Sequence, residues 1–195
     1  MKRFLALATL VLTVPFAFAQ QGEEVTSDLS SDAQGINWIS FEEAFALHQE
    51  EPKKWVIDVW TTWCGWCKRM DATTFSDSLV VDHVNENFYA VTLDGEYKDE
   101  IQIGERTYKF VPEGRRGYHE LPAELMGGKM SYPTVVFLGD ELQNLSAVPG
   151  YRNAKEFLQI VEFFEAYDPE NPVSWEDFVA TYKSPYPETT GTTNN

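Results

Sequence analysis

The segment Val56–Met70, VIDVWTTWCGWCKRM, constrains this chain more than any other stretch. Within KWVIDVWTT the apolar residues run almost without a break, which predicts a short strand buried on both faces. One carboxylate, Asp58, interrupts it. Cys64 and Cys67, the only cysteines in 195 residues, follow at once. CKRMDATTF then has helical spacing and no breaker, so the pair stands where a buried strand turns into a helix. A redox couple, part of a metal site and a structural staple all remain open to such a pair. A staple across so short a loop removes little chain entropy. Structural zinc wants four ligands, usually a second cysteine pair or a histidine pair. His48, His83 and His119 are scattered, so no metal is expected, and they read as surface or half-buried side chains. Residue 68 is lysine rather than histidine, which excludes c-type haem attachment.

The first residues suggest a compartment. Lys2 and Arg3, the apolar run Phe4–Val14 and the ending Ala17-Phe18-Ala19 read as a secretory signal cleaved after Ala19. The run is short for a membrane span and Pro15 interrupts it. No cysteine follows the cleavage site to take a lipid anchor. Loss of Lys2 and Arg3 takes the formal charge from −16 to −18. So acidic a surface argues against nucleic acid and anionic lipid as partners. Exported scaffolds held by disulfides carry several of them, because their cores are small. The chain beyond residue 19 is long enough for a proper core, so chemistry explains the single pair better than stapling does.

Residues 20–35 are polar and read as a flexible leader. Ser40–Glu43 has the pattern of a capping box opening a helix to Glu50, with Phe41, Ala44, Phe45 and Leu47 on its apolar side. After the cysteine helix, Asp77 or Ser78 opens another, with Leu79, Val80, Val84 and Phe88 apolar. Phe88–Asp94 reads as a strand. TVVFLGDELQNLSAVPGY reads as two strands turning near Gly139-Asp140. Asn153 and Glu156 cap a long amphipathic helix, AKEFLQIVEFFEAY, and Ser174–Tyr182 makes one more short helix. The resulting boundaries are signal 1–19, leader 20–35, domain 36–168, and 169–195 as a short helix with a disordered tail from Ser184. The order predicts an α/β protein with a mixed sheet and helices on both faces. CxxC at the strand-to-helix junction fits the thioredoxin-like fold.

DVWTTWCGWCK resembles the thioredoxin signature at Asp58, Trp60, Trp63, Cys64, Gly65, Cys67 and Lys68. SYPTVVFL resembles the segment holding that family's cis-proline, at Tyr132, Pro133 and Thr134, and Gly150 matches the glycine after the last strand. CKRMDATTFSDSLVV is more similar to the C-terminal domain of the bacterial disulfide reductase DsbD and related exported proteins than to cytosolic thioredoxin. Three positions depart from the pattern. Trp66 replaces the usual proline between the cysteines. Ala90 occupies the place of the lysine near the buried acid. Between Asp94 and Pro133 about two dozen residues are extra, more than most loops inside a domain hold. This insertion, 95–117, alternates around Gly104-Glu105 as a hairpin would.

The resemblance implies a thiol–disulfide oxidoreductase. At the first turn of a helix, Cys64 meets unpaired N–H groups and the positive end of the dipole, which lower a thiol's pKa and make it the nucleophile. Cys67, one turn on, is the shielded resolving thiol. Asp58 is assigned general acid/base work, its pKa raised by burial. Trp63, Gly65, Trp66, Tyr132, Pro133 and Thr134 form the partner-binding surface, while Trp60 and the helically spaced Met126 and Met130 read as core. Arg115-Arg116 reads as a solvated turn. The expectation is a monomeric periplasmic or secreted reductase acting on exported cysteine-containing proteins. It needs no cofactor besides its own disulfide, and a membrane donor of the DsbD type would recharge it. The competing expectation is a non-catalytic binding or chaperone module on the same fold.

Overall fold

The computed structural model describes residues 35–187. The signal segment, its cleavage site, the leader up to residue 34 and the tail from residue 188 lie outside the described residues. Among those described, no helix is long and apolar enough to cross a membrane.

Four strands make the central sheet: β1 (Trp55–Trp60), β2 (Tyr89–Asp94), β7 (Thr134–Leu138) and β8 (Asn144–Pro149), in the order β2-β1-β7-β8. β1 and β2 run parallel, while β7 is antiparallel to both β1 and β8. The sheet is therefore mixed, and with its helices it has the thioredoxin-like fold. Ile39 extends the pairing outside β2, donating its N–H to the Ala90 carbonyl and accepting from Thr92 N–H.

Strand alternation sorts the core into two clusters. Val56, Ala90, Val135 and Phe137 face helices α2 (Gly65–Thr73), α3 (Ser78–Asn87) and α5 (Ala154–Ala166), meeting Met70, Val80, Val84, Phe157 and Val161. Phe164 stacks on Phe137 at 4.2 Å between centroids. Trp55, Ile57, Val59, Val91 and Val136 face the other way, onto α1 (Phe41–Glu50) through Phe41 and Ala44. Asp58 has the parity of Val56, so it points to the side that α2 covers. That parity decides where its chemistry happens.

The caps follow the sequence. Ser40 accepts from Glu43 N–H at α1, and Asp77 accepts from Leu79 and Val80 N–H at α3. Asn153 and Glu156 form the full reciprocal box at α5. Two helix faces turn differently from expectation. Leu47 and Leu79 are exposed, and His48 and Val81 are buried in their stead. His48 is no surface histidine, since its Nδ1 accepts the indole N–H of buried Trp55 at 3.1 Å. His119 is fully buried too. A hydrogen-bonded imidazole such as His48 packs at little cost, whereas His119 is bonded at Nδ1 only, its Nε2 lacking a partner.

Between β2 and β7 the chain builds more than one hairpin. β3 (Ile101–Ile103) and β4 (Arg106–Tyr108) pair around Gly104-Glu105 as expected. A second pair, β5 (Phe110–Val111) with β6 (Tyr118–His119), leads into the short α4 (Glu120–Leu125). Ile101, Tyr108, Leu121 and Met126 from this region close the core on the α1 side of the sheet. The inserted segment is thus part of the packed domain. At the other end, α6 (Trp175–Thr181) lays Trp175 and Phe178 against Phe163, and Tyr186 donates to the N-cap carboxylate of Asp77 at 2.5 Å.

Candidate active site

Cys64 is the N-cap of α2, and its sulfur accepts the Cys67 backbone N–H at 3.0 Å. The two cysteines form a disulfide of 2.00 Å, with Cα atoms 5.3 Å apart. The first-turn N–H groups of α2 point at the sulfur, as a cap position requires. In this oxidised form both cysteines are almost covered, Cys64 4% and Cys67 3% exposed. What projects around them is aromatic: Trp63 is 50% and Trp66 56% exposed.

Asp58 lies deep in β1, opposite Thr92 of β2 and Val135 of β7. Burial pushes its carboxyl up to about 8, and repulsion from Asp71 adds to the shift. Its Oδ1 has no hydrogen-bond partner. The position the resemblance compares with a lysine holds buried Ala90, so no cation offsets the desolvation there. Asp58 opens instead into a cavity of about 420 Å³ that Trp38, Trp60, Asp71, Phe75 and Thr92 also line. Trp60 is part of this wall, with its indole N–H held by Thr92 Oγ1 at 2.8 Å. Asp71 follows Cys67 by four residues on α2, so both occupy one helix face. The cavity therefore lies one turn along α2 from Cys67. Asp71 is raised as well, by partial desolvation of its carboxyl. Its spacing from Cys67 is visible in the sequence, but only the fold puts it in Asp58's cavity.

On the partner side, the Tyr132-Pro133 peptide bond is cis, and the Pro133 carbonyl accepts Gly150 N–H at 2.7 Å. Thr134 is buried, its hydroxyl donating to the Ser131 carbonyl at 2.8 Å. The Tyr132 ring meets Trp63 edge-on at 5.8 Å. A Cβ on Gly95 would overlap that ring, so the exit of β2 needs a glycine there. Trp63 also donates its indole N–H to Glu96 at 2.9 Å. Trp66 packs on Tyr151 at 5.5 Å, with Arg69 over both rings. Nothing lies within 4 Å of a side chain built on Gly65, which leaves the mouth between the tryptophans open.

One expectation about this rim changes: Met130 is 36% exposed rather than core. The Arg115-Arg116 turn is solvated as expected and also reaches the site, with the Arg116 guanidinium 4.2 Å over Trp63. Their proximity depends on how the inserted segment folds, which local pattern does not reveal. Among the described residues, no group of three or more His, Cys, Asp or Glu could hold a metal ion.

A disulfide capping a helix that follows a buried strand, with a cis-proline strand beside it, defines a thioredoxin-like disulfide protein. A family model described as "Thioredox_DsbH: Protein of unknown function, DUF255" matches residues 23–168, and the chain belongs to this DsbH-like thioredoxin-fold family. No curated protein matches it. Among solved structures it is similar to a "DsbH Oxidoreductase" at 18% identity, covering 82% of this chain and 94% of that one, with a TM-score of 0.48. A candidate disulphide-isomerase from Bacteroides thetaiotaomicron shares 28% identity over 69% of this chain and 97% of that one, at 0.49. The DsbD C-terminal domain from Neisseria meningitidis, oxidised form, shares 19% over 62% and 89%, at 0.43.

Proposed function

We propose that this chain is an exported thiol–disulfide oxidoreductase that works as a reductase of protein disulfides. The observation that carries the reading is the Cys64–Cys67 disulfide at the start of α2, one helical turn from a cavity into which an unpartnered Asp58 opens. In the reduced form, the Cys64 thiolate attacks one sulfur of the partner's disulfide. A mixed disulfide forms and one partner thiolate leaves. Cys67 gives its proton to Asp58, directly or through water in the cavity, and attacks Cys64. The Cys64–Cys67 bond forms, the mixed disulfide breaks, and the second partner sulfur leaves. Two electrons have passed to the partner. A carboxyl near 8 both accepts and returns a proton close to neutral pH, as this step needs.

The couple is its own redox centre and no separate cofactor enters the scheme. The N-terminal signal supports export, and the acidic surface supports a single soluble chain. Recharging calls for a membrane dithiol donor of the DsbD type, since the exported compartment has no soluble thiol pool of its own. Insulin reduction driven by dithiothreitol is the test. The native protein is expected to exceed a Cys64→Ser variant by orders of magnitude, and equal rates would sink the proposal. Equilibration with glutathione then decides direction: a potential near about −120 mV, that of a strong oxidant, would overturn the reductase assignment.

A further inference from the structure

A second groove beside the disulfide shares no residue with the Asp58 cavity. It measures about 560 Å³, and Trp63, Arg115, Arg116, Tyr118, Met130 and Tyr132 line it. Trp63 immediately precedes Cys64 and Tyr132 immediately precedes Pro133. A chain reacting with Cys64 therefore has the groove as a built surface on the Trp63 and Tyr132 side on which to continue. We propose that this groove selects substrate segments that carry an acidic side chain close to the reacting cysteine. The inference rests on the oxidoreductase reading above and adds a substrate class to it.

The argument is one of charge and shape. The chain holds 31 acidic residues against 15 basic ones, so most cations have carboxylates to choose from. Among the described residues the ion pairs are Arg106–Glu124 and Lys109–Glu100, so Arg115 and Arg116, like most cations of the chain, have no carboxylate oxygen within 4.0 Å. Two acids do line the groove, Glu96 and Glu113. Glu96 is engaged by the Trp63 indole N–H, not by an arginine. The Arg116 guanidinium lies 4.2 Å over the Trp63 ring, and its exposed fork of N–H donors suits a carboxylate. Lys98 adds a third cation, donating its ammonium to the Arg116 carbonyl at 3.3 Å. Against a surface that repels acidic chains elsewhere, these three groups make a local attraction beside the reacting sulfur. Met130 supplies adaptable apolar area on the same floor.

The test uses the full chain and two short fluorescent peptides with alanine in place of cysteine, so that no exchange occurs. They differ only in Glu or Gln beside that alanine. Fluorescence polarisation of the wild type is expected to show about tenfold tighter binding of the Glu peptide, an advantage that shrinks as salt is raised. An R115A/R116A variant brings the ratio close to one, and R115K/R116K keeps most of it. R115E/R116E reverses the preference towards a Lys peptide, a gain that a misfolded chain cannot show. A wild-type ratio of one, or a ratio unchanged in R115E/R116E, overturns the groove proposal. Disulfide-containing versions of the peptides test the parent reading separately. If the wild type reduces them no faster than Cys64→Ser, the oxidoreductase reading falls, while the binding ratio still decides the groove.

Discussion

The two cavities that flank the disulfide are built from opposite kinds of information. Asp58's cavity is centred on β1 and α2, joined by the short turn that carries the cysteines, and Trp38 before α1 and Thr92 of β2 complete its wall. The arginine groove gathers Trp63, the end of the inserted segment and the residues before Pro133, which lie far apart along the chain. The first holds a carboxyl that burial pushes up to about 8; the second holds two arginines in no direct ion pair, with Glu96 and Glu113 on the same walls. In the proposed function, proton handling thus centres on the signature and its neighbours, and partner choice on the inserted segment.

The largest effect expected on breaking that division belongs to Asp58→Asn. Turnover of insulin near neutral pH should fall by about 10²-fold, as general acid/base losses do, while the Glu-over-Gln binding ratio at the groove stays put. The same variant has a signature in stability. Asp58's native pKa lies above its ordinary value of 3.8, so the folded chain holds a proton that the unfolded chain has lost. That stabilising contribution is full below about pH 4 and is lost as pH rises to about 8. Urea midpoints of the wild type should decline across this window, and those of Asp58→Asn should decline less. The gap at pH 8 is on the order of a few kcal/mol. Parallel curves would show that Asp58 is not the buried acid described.

Gly117→Ala tests the other side. Gly117 sits at φ +75°, and a Cβ there would run into the Phe110 ring and the Val111 carbonyl across the β5–β6 pair. About 1–3 kcal/mol of stability should be lost, read as a lower Tm. The peptide ratio should fall with it, because the arginine turn is displaced from Trp63. The pH dependence of turnover should keep its midpoint. A moved midpoint would mean that the two cavities communicate.

The smallest effect belongs to Asp71→Asn. Removing the carboxylate that repels Asp58's charge should lower the apparent pKa of turnover, by about one unit or less, since desolvation is the larger cause. A rise in that pKa would reverse the assigned sign.

How much of this was legible beforehand follows the same line. The nearly unbroken apolar run in VIDVW, the cap at Asn153 and the helical pattern after Cys67 each depend on neighbours within a few residues, and each appears in the structure as read. Leu47 and Leu79 were misplaced because a helical apolar pattern does not say which of two adjacent faces the sheet will cover. His48 is buried because Trp55 bonds its ring, and His119 because the inserted segment packs around it, neither of which residue type reveals. Asp71 could have been suspected from its i+4 spacing to Cys67, and Arg115-Arg116 from being an isolated basic pair in an acidic chain.

By itself, the sequence determined the cysteine pair, its place at a strand-to-helix junction and the presence of an acid in the feeding strand, because all three are set by adjacency along the chain. Tertiary structure alone decided that Asp58 opens into a cavity shared with Asp71, and that two arginines from an inserted segment lie beside Trp63. Those arrangements depend on sheet register and on the packing of distant segments. Both are set by burial summed over the whole core, which no local stretch contains.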